Sequence, residues 1–180
     1  MQKIQRASYF FYLFFKTLLW LLPILTIYFI LFQLPLMLDL GGWHSIISTE
    51  HIQNKDQFSL GHRFIILAIQ FLPLSISLLI CNKLAHLFKL YEMGILFEQE
   101  NIRLIKWISI YMIIGELIQV IYQPLITAAL TFTNQPGHRI ASLTLGTTNC
   151  STLITAFIIL IASWIVKEAH ELKTEAKLTI

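Results

Sequence analysis

The sequence predicts an all-α integral membrane protein, a bundle of four transmembrane helices with both termini in the cytoplasm. Three observations carry that reading. Hydrophobic residues make up 56% of the 180-residue chain and charged residues 13%, far from the balance of a soluble globular domain. Charges gather at the N-terminus, around residues 83–106 and after residue 166, leaving long uncharged stretches between them. Ten lysines and arginines fall on one predicted side (Lys3, Arg6, Lys16, Lys83, Lys89, Arg103, Lys106, Lys167, Lys173, Lys177) and three on the other (Lys55, Arg63, Arg139), which places the first side inside.

A bilayer core about 30 Å thick needs about 20 apolar residues of helix, because no water is present to satisfy free backbone groups. Four segments meet this: 17–38, 64–81, 107–131 and 149–166. The aromatic run Tyr9–Phe15 precedes the first, with Lys16 placed to snorkel to the interface. That apolar stretch is too long for the core of a signal peptide and is expected to remain in place. Pro23, Pro35, Pro73 and Pro124 lie in or at the ends of spans and predict local kinks. With no internal repeat or low-complexity tract, the chain reads as one membrane domain. Cys81 and Cys150 fall at opposite ends of their spans, too far apart for a disulfide.

Residues 83–106 read as a cytoplasmic helical hairpin joining spans two and three. Gly94 suits a helix C-terminus, and Glu98 and Glu100 suit the positive start of the next helix. Lys89 with Glu92, and Glu100 with Arg103, are three residues apart and can pair. The tail 167–180 is helix-compatible, with Lys167 four residues before Glu171 and a weak apolar stripe of Ala169, Leu172 and Ala176.

These two cytoplasmic segments resemble the bacterial membrane family of domain of unknown function 2975, the YoaS-like group. The first family motif falls on Leu90, Tyr91, Gly94, Phe97, Glu100 and Asn101. The second falls on Glu168, Glu175, Leu178, Thr179 and Ile180, with Ala169 where the family has glycine. The resemblance implies four spans in a bacterial cytoplasmic (inner) membrane. Because members are often encoded beside a small helix-turn-helix transcription regulator, it also implies a soluble partner of that kind. Candidate partner contacts are Tyr91, Glu92, Glu100, Asn101, Arg103, Glu168 and Glu175.

The third span carries a polar face: Glu116, then Gln119, Gln123 and Thr127 at helical intervals. Gln70 and Ser77 on the second span, and Thr148, Thr152 and Thr155 on the fourth, offer hydrogen-bond partners. An intramembrane acid is a functional candidate by default. Two readings stand: a cavity in which Glu116, Gln119, Gln123, Gln70, Thr152 and Thr155 serve a ligand or proton, or a neutral Glu116 that helps fasten helices together.

Other constellations are weaker. His44, His51, His62 and His138 share the outer side without metal-ligand spacing, and Trp43 reads as an interface anchor for the loop. Asn149-Cys150-Ser151 reads as a chance glycosylation triplet, Gly41-Gly42 lacks the pattern of a phosphate loop, and no Cys-x-x-Cys is present. The expectation is a non-enzymatic regulatory or sensory membrane protein with no cofactor or metal. It contacts the lipid bilayer and a soluble regulator and makes no direct contact with nucleic acid; a homo-oligomer is left open. The alternative is a small transporter or channel component, or a ligand-binding membrane protein, built around Glu116.

Overall fold

The computed structural model describes residues 2–53, 58–96, 98–144 and 146–178, without the side chains of residues 2, 49, 147, 148 and 172–178. All regular structure among them is helical: α1 (Gln2–Phe32), α2 (Leu34–Asp39), a 3₁₀ turn at Thr49–His51, α3 (Leu60–Glu92), α4 (Gln99–Thr131) and α5 (Thr147–Leu178). Four of these helices are long and apolar enough to cross a bilayer, through the stretches Lys3–Phe32, Leu60–Glu92, Gln99–Thr131 and Asn149–Glu171. The helices are longer than the spans read from hydropathy. At 33 residues, α3 and α4 are each about 50 Å long, well beyond a hydrocarbon core of about 30 Å.

The chain forms two compact units, with α1, α3 and α4 each contributing to both. The first comprises residues 1–20, 76–116 and 147–180. Its core is the end of α3 against the start of α4, where Leu87, Leu90, Leu104 and Ile108 are buried and Tyr91, Ile95 and Met112 pack around them. Phe11 and Phe15 of α1 stack on Phe88 of α3, with ring centroids 5.1 and 5.7 Å apart.

The turn between α3 and α4 is the hairpin that glycine and acid placement predicted. Gly94 adopts φ 79°, its N–H bonds the Tyr91 carbonyl, and the Ile95 N–H bonds the Leu90 carbonyl. Those two bonds close a Schellman motif, with Ile95 reaching back toward Leu90 in the same apolar cluster. Asn101, buried to 2% exposure, donates its amide to the Ile95 carbonyl at 2.8 Å and fastens the far side of the turn. Gly94→Val is expected to destabilise this unit by about 1–3 kcal/mol, because a β-branched residue resists positive φ. Chemical unfolding in mixed detergent micelles measures this, and a loss no greater than that of Gly61→Val, at an open helical site, would contradict it.

The second unit comprises residues 21–75 and 117–146. Its core joins the end of α1, α2 and the following loop to α3 and α4: Ile30, Leu34, Leu38, Trp43, Ile47, Phe58, Ile66, Tyr122, Ile126 and Leu130 are buried together. One expectation is met in it and one is corrected. The first span is interrupted where Pro35 predicted a kink: helix geometry stops at Phe32 and resumes at Leu34 across Gln33 (φ −127°, ψ 35°). Pro35 explains the break, since it lacks the N–H that would reach the Leu31 carbonyl and its ring crowds that carbonyl. The Arg63 guanidinium takes the freed oxygen at 2.6 Å. Trp43, in turn, is not an interface anchor; it is 3% exposed within the core.

Candidate functional site

The polar face of α4 divides between the two units. Glu116 belongs to the first, where it accepts a hydrogen bond from the Asn149 side chain of α5 at 2.7 Å. Thr155 on α5 is exposed and returns its hydroxyl to the Ser151 carbonyl, an ordinary helix-surface bond. Thr152 is half-buried.

Gln70, Gln119 and Gln123 belong to the second unit. Gln70 accepts from both the Trp43 indole (3.2 Å) and the Tyr122 hydroxyl (2.6 Å), and the indole also donates to Tyr122 at 2.9 Å. Gln119 is half-buried. Gln123, Thr127 and Thr131 hold the backbone of the following non-helical segment: the N–H groups of Thr144, Ser142 and Ile140 donate to them at 2.7, 3.0 and 2.9 Å. The match is one of periods. Every fourth residue of a helix advances about 6 Å, and every second residue of an extended chain advances about 6.6 Å, so two straight rows of partners stay in register. The row on α4 therefore supplies hydrogen bonds to backbone that lacks a helical partner.

Among the described residues, no three His, Cys, Asp or Glu side chains converge as a metal site would require. His62 lies between Phe58 and Phe132 and donates Nε2–H to the Ala129 carbonyl at 2.6 Å, a packing role.

The hairpin and tail residues separate by burial. Tyr91 is half-buried in the first unit's core, while Glu92 is 25% exposed and pairs with Lys89 at 2.9 Å. Glu100 does not pair with Arg103; it meets His86 of α3 at 3.3 Å, because the closed turn brings that residue across from it. Asn101 is withdrawn from the surface by its bond to Ile95. Arg103 and Glu168 are exposed, and Lys167 pairs with Glu171 at 3.4 Å. Phe97, Thr179 and Ile180 lie outside the described residues, as does the side chain of Glu175.

One feature of this unit had no counterpart in the sequence reading. The start of α4 and the end of α5 enclose a cleft of about 630 Å³ lined by Glu100, Arg103, Lys106, Ser163, Trp164, Lys167 and Glu171. The signal was present as two stripes, 99–103–106 and 164–167–171, each on one helix face. Their convergence depends on how α4 and α5 pack, which spacing does not encode.

Comparison with known proteins places the whole chain. No curated protein and no solved structure matches it. The sequence model described as protein of unknown function (DUF2975) does match, over residues 4–180, and the protein with this paired hairpin and tail belongs to that family.

Proposed function

We propose that the protein is a non-enzymatic regulatory component of a bacterial cytoplasmic membrane, displaying the α3–α4 hairpin and the α5 tail to a soluble transcription regulator. The supporting observation is the hairpin's construction. A turn closed by its own backbone bonds, capped by Asn101 and underlain by its own apolar cluster presents its polar side chains without first having to be ordered. The excess of lysine and arginine at this end orients it toward the cytoplasm. Tyr91, Glu92, Glu100, Arg103 and Glu168 form the contact set, with Glu175 extending it along the tail.

The transporter or ligand-binding reading loses Gln70 and Gln123, which are committed to hydrogen bonds within the fold, and keeps Glu116, bonded to Asn149.

The test is affinity purification of the full chain from its native membrane in mild detergent, with mass spectrometry of what copurifies. A helix-turn-helix protein is expected with the wild type. It should fall at least about tenfold in Glu92→Lys/Glu168→Lys, since like-charge contacts at an interface cost several kcal/mol. Arg139→Ala serves as the control. Equal recovery from the double variant would remove these residues from the contact set.

A further inference from the structure

We infer that the cleft between the start of α4 and the end of α5 is a binding site for the phosphate headgroup of an anionic phospholipid. Its charges are unevenly satisfied. Glu171 is bonded to Lys167 at 3.4 Å and Glu100 to His86 at 3.3 Å, but no described residue neutralises Arg103 or Lys106. These two cations sit one helical turn apart on a single face of α4 and line the cleft together with Lys167 from α5. Arginine presents a planar fork matched to phosphate oxygens, and lysine adds a point charge beside it.

The depth of the cleft selects a lipid over a soluble anion. Lys106 is followed directly by Trp107, after which α4 carries only Glu116 as a charged residue up to Thr131. On α5, Lys167 directly follows the uncharged run 149–166. The cleft thus lies where both helices pass from charged to apolar sequence, at the level where headgroups meet the hydrocarbon. Trp164, in the cleft wall, is 54% exposed, as interfacial tryptophans are. Ile158 and Ile161, exposed further back along α5, and Ile165 beside Trp164 offer apolar surface for the acyl chains. This inference shares Glu100 and Arg103 with the partner reading, whose test uses Glu92 and Glu168 outside the cleft, so the two fail separately.

The experiment titrates delipidated full-length protein in detergent with phosphatidylglycerol, phosphatidylcholine or inorganic phosphate, reading bound lipid by native mass spectrometry. Phosphatidylglycerol is expected to bind at least about tenfold more tightly than phosphatidylcholine. Arg103→Gln/Lys106→Gln should lose most of that preference, Arg103→Lys should keep most of it, and Lys83→Gln, basic but outside the cleft, should be unchanged. Equal binding of the two lipids would overturn the inference, and that comparison needs no variant. Undiminished preference in the Gln double variant would also overturn it by placing the site elsewhere. Displacement of phosphatidylglycerol by millimolar inorganic phosphate would overturn the lipid assignment in favour of a soluble phosphate ligand.

Discussion

Trp43→Ala is expected to destabilise the second unit by about 3–5 kcal/mol, the range for truncating a large buried aromatic side chain. Trp43 is 3% exposed and packs in one cluster with α2, α3 and α4 residues, so the deletion leaves a cavity among walls contributed by separate elements. The polar part of the loss is smaller. Tyr122 and Gln70 keep their mutual hydrogen bond at 2.6 Å when the indole donor is gone, so neither is stranded. Trp43→Phe, which refills much of the volume but carries no donor, should therefore cost only about 1–2 kcal/mol. Reversible unfolding of the three proteins in mixed micelles separates the two contributions. Equal losses for Phe and Ala would show that the indole N–H, and not packing, governs this core.

The same residue shows where sequence reading stops. Hydropathy and length suffice to find four spans, because bilayer thickness sets a length that a linear window can measure. Gly94 and the acids after it revealed the hairpin because helix ends are specified by nearby residues. Trp43 sits in a loop, where an indole suits either an interface or a core, and only the distant partners Gln70 and Tyr122 decide between them. The stripe of α4 was legible as a stripe. Its use was not: Gln123, Thr127 and Thr131 serve the backbone of residues 140–144, and nothing in their spacing names that segment as the partner. Asn101 was legible as a motif residue, but its burial depends on the fold of the turn behind it. The cleft is the extreme case, since its two lining stripes are about 60 residues apart in sequence and only the packing of α4 and α5 joins them.

Arg63→Ala is expected to cost about 2–3 kcal/mol, and most of that cost should depend on a proline 28 positions earlier in the chain. Arg63 donates from Nη1 to the Leu31 carbonyl at 2.6 Å and from Nε to the Phe58 carbonyl at 3.3 Å, hydrogen bonds from a charged donor. The Leu31 oxygen is available because residue 35, four positions on, is proline and has no N–H to give it. Removing the guanidinium leaves that carbonyl unpaired among Ile30, Leu34 and Ile66, which are fully buried, and the penalty is that of a desolvated acceptor without a partner. Pro35→Ala restores a donor at the helical position that would otherwise serve Leu31. In that background the loss of Arg63 should cost only about 1 kcal/mol, leaving a coupling of about 1–2 kcal/mol in the double-mutant cycle. Additive losses would mean that Arg63 stabilises the α1–α2 joint by some route other than the carbonyl that Pro35 sets free. The predicted coupling would instead explain why an arginine is placed at the start of a membrane-spanning helix: it completes the hydrogen bonding of another span that its own proline has opened.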